Sequence, residues 1–475
     1  MVALRVVLVG ALFLAGCATR PVNPQITHVE EAQGYRFVTR QARAAESNKD
    51  SLVVLAFSGG GTRAAAFSYG VLETLRRTEV VGPKGNKVRL LDEVDIITGV
   101  SGGSFTALAY GLYGDKLFDD YPARFLKRDV QGTLVGRLLD PQNWGTLWWS
   151  TWGRSELAAQ YYDEILFNGA TFADLNRGNG PFIMATATDL GTGSRLVFSQ
   201  ANFDFLCSDV GAVKLSRAAA SSSAVPLVMS PVTFNNYGGT CNFSIPEWLR
   251  VVADPPVRPA ARAIQRMGEM ESYGDPGRRF VHLVDGGVSD NLGVRGVLEA
   301  MEEMEALRSI GRATPLDRVK RVVIVVVNSL SSPKIHWEAT EQPPGAFDIL
   351  LRSTGVPIDR YSFEQVELLR DIAARWETLR RVKASPAFDA KKDPSVAEAI
   401  SVPASKVYII DVSFSALKDE SEREYLNQLP TSFVLPADSV DRLRAAAGTA
   451  LLASPEFRRL LNDVGATLVP PAKSP

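Results

Sequence analysis

Three short stretches carry residue types that could act together on an ester. Gly99-Val100-Ser101-Gly102-Gly103 reads G-x-S-x-G, the spacing of a nucleophile elbow. A turn tight enough to expose a serine hydroxyl at a helix N-terminus needs small residues on both sides, which Gly99 and Gly103 supply. The helix dipole at that point favours developing negative charge. Ser58-Gly59-Gly60-Gly61-Thr62-Arg63 is the second stretch. Consecutive glycines free backbone N–H groups to point at an oxyanion. No Lys-Ser or Lys-Thr pair follows them, so this is not a P-loop. Read alone, the string also fits a nucleotide-phosphate loop or a plain tight turn. The third stretch is Asp285-Gly286-Gly287, followed by Ser289-Asp290-Asn291, which could cap a helix from Leu292. Read alone, Asp285 is a turn aspartate.

These stretches need elements to hold them. Short β-rich runs at 52–57, 94–98, 182–188, 280–285, 322–328 and 407–412 alternate with helical patterns, including 64–77 and 104–113. That alternation predicts an α/β fold with a mostly parallel central sheet flanked by helices. Each chemical stretch then falls directly after a strand. Asp285 is expected at the C-terminal edge of a parallel strand, where catalytic groups collect. The catalytic domain is read as 51–330, with insertions on the sheet's rim near 114–180 and 236–277. A mostly helical C-terminal region with one further strand occupies 331–475.

A glycine loop, a serine elbow and a later Asp-Gly-Gly, in this order, resemble the patatin-like phospholipase family over about 51–301, and 218–231 resembles its small-residue helix leading to a Pro-containing strand. The resemblance implies a serine lipid acyl hydrolase of the phospholipase A or lysophospholipase type that uses a Ser-Asp dyad and no cofactor. It makes Ser101 the nucleophile and Asp285 the general base. It places the oxyanion hole at Gly59, Gly60 and Gly61 with Arg63 nearby, and makes Gly286 and Gly287 part of the aspartate's motif. Ser58 stands where many members have aspartate, and Ala64 where many have a further glycine.

The histidines define a rival. A triad needs an imidazole between serine and carboxylate, and the chain has only His28, His282 and His336. Strand alternation turns His282 away from Asp285, which leaves Ser101-Asp285-His336. A third reading is an inactive, membrane-anchored binding scaffold.

Composition narrows the classes. The 475 residues, 45% hydrophobic and 22% charged, describe a folded chain rather than a disordered or polytopic membrane one. With 52 basic against 53 acidic residues there is no electrostatic footprint for nucleic acid. Three cysteines and three histidines without metal-ligand spacing predict no metal site. An apolar run, 6–16, follows Arg5 and is shorter than the roughly 20 residues that span a bilayer, so 1–16 reads as a signal peptide. Leu14-Ala15-Gly16-Cys17 resembles the bacterial lipobox, which implies acylation of Cys17 and a place in the cell envelope; Ala18 after it resembles the signal for the outer membrane. Residues 17–50, polar with few large apolar side chains, read as a lipid-anchored tether, with a membrane phospholipid or lysophospholipid as the substrate. In an oxidising compartment Cys207 and Cys241 are expected to pair. Trp144, Trp148, Trp149 and Trp152 would share one side of a helix, serving as a membrane-dipping lid or as core.

Overall fold

The structure, a computed structural model, describes residues 19–44, 50–81, 85–144, 152–253, 261–309, 311–333, 337–339, 341–386, 388–389, 391–392 and 402–469. Cys17, Trp148, Trp149 and His336 lie outside them.

The strands are β1 (Ser51–Phe57), β2 (Thr78–Val81), β3 (Lys87–Arg89), β4 (Val94–Val100), β5 (Phe182–Asp189), β6 (Arg195–Val197), β7 (Val232–Asn235), β8 (Phe280–Asp285), β9 (Arg321–Asn328), β10 (Lys406–Ser413) and β11 (Thr467–Leu468). Eight of them form one sheet in the order β10-β9-β1-β4-β5-β8-β7, with β6 against β5. From β10 to β5 all pairings are parallel. Beyond β5 the pattern departs from the expectation for Asp285: β8 runs antiparallel to β5, and β7 antiparallel to β8. Asp285, paired with Ala187, still lies at the level where β4 ends, because Val100 pairs with Thr186 on the other side of β5.

The continuous apolar runs follow from burial on both sides. Val53, Leu55 and Phe57 pack in one core, and Leu52, Val54 and Ala56 in the other. Helices Gly61–Arg76, Gly102–Tyr113 and Ala437–Ala453 close the first core. Helices Arg295–Ser309 and Ala346–Lys383 close the second, where Trp376 is fully buried and donates to Glu305 Oε1 at 2.7 Å.

Several sequence expectations change. The stretch 114–180, read as an insertion on the rim, packs into the first core through Tyr121, Phe125, Tyr162 and Phe167. The stretch 236–277 likewise contributes buried Leu249, Met270 and Tyr273. The C-terminal region shares the sheet through β10 and the core through Leu443, Ala447 and Leu451. Residues 19–44 are docked rather than a loose tether. Tyr35 is buried, its hydroxyl accepting from Ile183 N at 2.7 Å and donating to Ile183 O. Arg36 pairs with buried Asp204 at 2.6 Å. Asn23 bonds the backbone of the edge strand β7 at Asn235 in both directions. Polar side chains do this docking, so hydropathy does not reveal it.

Cys207 and Cys241 are joined by a disulfide that closes a 34-residue separation. The Cys207 carbonyl accepts the Ile26 N–H at 2.8 Å, so the crosslink also supports the N-terminal segment.

Candidate active site

Ser101 is the residue between β4 and helix Gly102–Tyr113, with φ 48° and ψ −122°. A non-glycine residue there is strained, and such strain persists only where the surroundings over-determine it. The surroundings are unusually close. A Cβ on Gly102 would stand 1.9 Å from Gly61 O, one on Gly103 2.6 Å from Ser58 O, and one on Gly99 2.8 Å from Ser104 Cα. The elbow therefore nests directly in the glycine loop. Gly102, a free position in G-x-S-x-G, is the tightest of the three.

The Ser101 hydroxyl donates to Asp285 Oδ2 at 2.8 Å, and both residues are buried. Burial pushes the Asp285 carboxyl up to about 6, opposed by the Gly287 N–H at 2.8 Å from Oδ1 and by the serine hydroxyl. Gly286 is held against β5, where a Cβ would stand 2.5 Å from Thr186 O.

Two contributors were not legible as site residues. Ser222, at the end of helix Leu215–Ser222, accepts the Ser101 N–H on its hydroxyl at 2.8 Å and the Gly286 N–H on its carbonyl at 3.1 Å. It ties the two halves of the pair together. The small-residue run Ala218 to Ser223 is its only signal. After it comes a turn rather than the expected strand, with β7 starting at Val232. Asn291 is the other: its carbonyl accepts the Gly59 N–H at 2.9 Å, and its side chain fills the space beside Gly59 and Gly287.

These contacts revise the oxyanion set. Gly59 N–H is engaged by Asn291. Arg63 is engaged as well: buried, it donates from Nε to Ser329 O at 2.8 Å, from Nη1 to Leu429 O at 2.6 Å and from Nη2 to Thr431 Oγ1 at 3.1 Å. Desolvation lowers the pKa of its guanidinium to about 10. It clasps the loop to the C-terminal region rather than facing Ser101. Gly60, with φ 136°, and Gly61, with φ 59°, are the N-cap and first residue of their helix, so their N–H groups precede the first intrahelical bond. That helix starts at Gly61 instead of Ala64. A one-turn helix, Gly287–Asp290, follows Asp285 directly, and the long helix after it begins at Arg295 instead of Leu292, its N–H accepted by Asp290 at 3.1 Å.

His282 is exposed and meets Thr233 Oγ1 at 3.0 Å, and His28 meets Glu30 at 2.6 Å. Trp144 is 50% exposed, its indole N–H on Leu138 O, and Trp152 is half-buried. A cavity of about 1480 Å³ lies between the sheet and the second core's helices, lined by Leu52, Ile96 and Met184 among others; neither Ser101 nor Asp285 lines it.

The patatin-like phospholipase family model matches residues 55–298, which spans the glycine loop, the elbow and the Asp-Gly-Gly. The chain belongs to the patatin-like phospholipase family. No curated protein matches it. Among solved structures it is similar to human GIVD cytosolic phospholipase A2, at 12% identity and a TM-score of 0.47, covering 95% of this chain and 66% of that one. The same enzyme with methyl gamma-linolenyl fluorophosphonate and terbium chloride gives 12% identity, a TM-score of 0.42 and the same coverage. In this patatin-like chain the family match ends near Leu298, while the Arg63 clasp and β10 draw on residues far beyond it.

Proposed function

We propose that this patatin-like protein hydrolyses acyl esters of membrane phospholipids or lysophospholipids through a Ser101-Asp285 dyad. The observation that carries the reading is the direct 2.8 Å hydrogen bond between the two side chains, which leaves no room for an imidazole between them. It favours the dyad over a triad through His336.

In the forward step Ser101 Oγ attacks the ester carbonyl carbon while Asp285 takes its proton. The carbonyl oxygen, now an anion, is met by the N–H groups of Gly60 and Gly61, with Gly102 N–H at the helix start beside them. Collapse breaks the ester C–O bond, and Asp285 returns the proton to the leaving alkoxide. Water then gives its proton to Asp285 and attacks the acyl-serine, releasing the fatty acid and regenerating Ser101. A carboxyl near 6 is poised for this exchange at neutral pH, being ionised yet more basic than a solvated aspartate.

Membrane attachment through acylated Cys17, in a bacterial cell envelope and at the outer membrane, belongs to the same proposal. It rests on the Leu14-Ala15-Gly16-Cys17 tetrad. The test is turnover of a short-chain nitrophenyl ester and of phospholipid by the wild type and Ser101→Ala. Hydrolysis that survives the substitution overturns the serine mechanism, and a wild type without turnover returns the chain to a binding scaffold. Mass spectrometry of the N-terminal peptide, compared with Cys17→Ser, tests the anchor.

A further inference from the structure

The turn between helix Leu215–Ser222 and β7 presents two large apolar side chains to water: Leu227 is 55% exposed and Val228 54%. Leu227 is also held at φ 71°. A branched side chain is disfavoured in the left-handed region, and exposing it forgoes the compensation of burial. Among the described residues, no packing contact buries either side chain. The turn is nonetheless held in place. The Leu227 carbonyl accepts from Arg154 Nη2 at 3.2 Å, Met229 N–H bonds Val225 O at 2.9 Å, and Ser230 bonds Ser155 through both hydroxyl and carbonyl.

The turn stands close to the dyad. Ala224, three residues before Leu227, accepts the Asp285 N–H at 2.9 Å. It also stands close to where the chain leaves for its N-terminus. Asn23 is bonded to Asn235, and Arg20 donates both to Asn235 Oδ1 and to Thr233 O, the latter at 3.1 Å, so the segment is fixed along the edge strand that Pro231 joins to the turn. Arg217 donates to the same Thr233 carbonyl at 2.7 Å and pairs with Glu156, two residues from Arg154. Cys17 is three residues from Arg20, a reach of roughly 10 Å at full extension. An anchor on Cys17 would be tethered within that reach of Arg20.

We infer that the Leu227–Val228 turn is a lipid-docking element, and that the docked N-terminal segment sets the anchor beside it so that the dyad faces the bilayer holding the chain. The occupant is a lipid surface. Its apolar phase accepts both side chains, and the anchor proposed at Cys17 is three residues before the docked Arg20. The inference rests on the membrane-attachment reading, but not on turnover.

The test uses the full chain with Cys17 intact, purified from membranes into vesicles of phosphatidylethanolamine and phosphatidylglycerol that carry a nitroxide-labelled lipid. A fluorescent probe is attached at Val228→Cys, with Thr449→Cys, exposed on helix Ala437–Ala453, as the control. The expected result is quenching at 228 about fivefold or more above that at 449, as for a side chain at the acyl boundary. It should be the same in a Ser101→Ala background, so failed hydrolysis does not bear on it. Equal quenching at the two positions in membrane-bound protein overturns the inference, and protein that does not stay on vesicles overturns the attachment reading instead. Leu227→Gly supplies the second measurement. Glycine relieves the backbone, so the melting temperature should hold or rise while the ratio of vesicle-lipid to soluble-ester hydrolysis falls about tenfold. A fall in melting temperature with an unchanged ratio marks Leu227 as packing and overturns its docking role.

Discussion

The carbonyl oxygen of Gly61 occupies the space that a side chain on Gly102 would need, 1.9 Å from the position of its Cβ. Two motifs separated by forty residues are thus one interlocked object. Gly102→Ala must push the glycine loop away from the elbow, because the obstructing atom is backbone. Esterase kcat/KM should fall about a hundredfold or more, since small misplacement of an oxyanion donor is expensive. Steady-state kinetics on a soluble ester checks this, with circular dichroism to establish that the chain still folds.

Ser101→Ala and Asp285→Ala should each lose on the order of a thousandfold in turnover, and the double variant should be scarcely worse than either. A fully additive double variant contradicts a dyad. His336→Ala should retain nearly wild-type turnover; a loss comparable to that of Ser101→Ala would establish the triad.

The raised Asp285 pKa has two pH signatures. Activity requires the ionised form, so kcat/KM should decline below about pH 6. Stability runs the other way. Between about 4, where the unfolded carboxyl titrates, and about 6, the folded state binds the extra proton, so stability falls as pH rises through that window. Asp285→Asn keeps the shape without the buried charge. Its melting temperature should match the wild type near pH 4 and exceed it above pH 6, as a pH series by differential scanning calorimetry would record.

Arg63→Met should act through stability. Removing the guanidinium orphans Ser329 O and Leu429 O, at about 1–3 kcal/mol for each buried acceptor that water cannot reach, while the exposed Thr431 hydroxyl turns to solvent. Chemical denaturation should show the loss. Turnover of the fraction that stays folded should fall less than in Gly102→Ala, because Arg63 supports the loop from behind.

Reducing the Cys207–Cys241 disulfide should destabilise the fold by roughly 3 to 4 kcal/mol, from a loop of 34 residues. The effect should reach the N-terminal segment through Ile26. Hydrogen exchange at Ile26 N–H, with and without reductant, reads it directly.

The apolar runs of β1, β4, β5, β9 and β10 made the parallel core legible, since strands buried on both faces leave no other pattern. Strand direction leaves no such mark, and the reversal at β8 was hidden for that reason. The chemistry of Ser101 and Asp285 was legible because glycine is demanded wherever backbone approaches backbone. Ser222 and Asn291 act through single hydrogen bonds, and nothing separates Ser222 from its serine neighbours in sequence. Arg63 looked like an oxyanion donor because its true acceptors lie more than 260 residues away. The N-terminal segment read as a tether because Arg20, Asn23 and Arg36 bind by polar contacts that resemble solvated residues.

The Arg63 clasp also imposes an order on biosynthesis. Its acceptors at Leu429 and Thr431, together with Ser432, whose carbonyl takes the Thr62 N–H at 2.8 Å, are translated well after Ser101 and Asp285. At 5–20 residues per second, the stretch from the end of the family-matched region to Ser432 takes roughly 7–27 s to make. Through that interval the serine and aspartate already exist but the glycine loop lacks its brace. A chain halted in that window would carry Ser101 and Asp285 on an unclasped and less stable scaffold, the state that Arg63→Met reproduces in the finished protein.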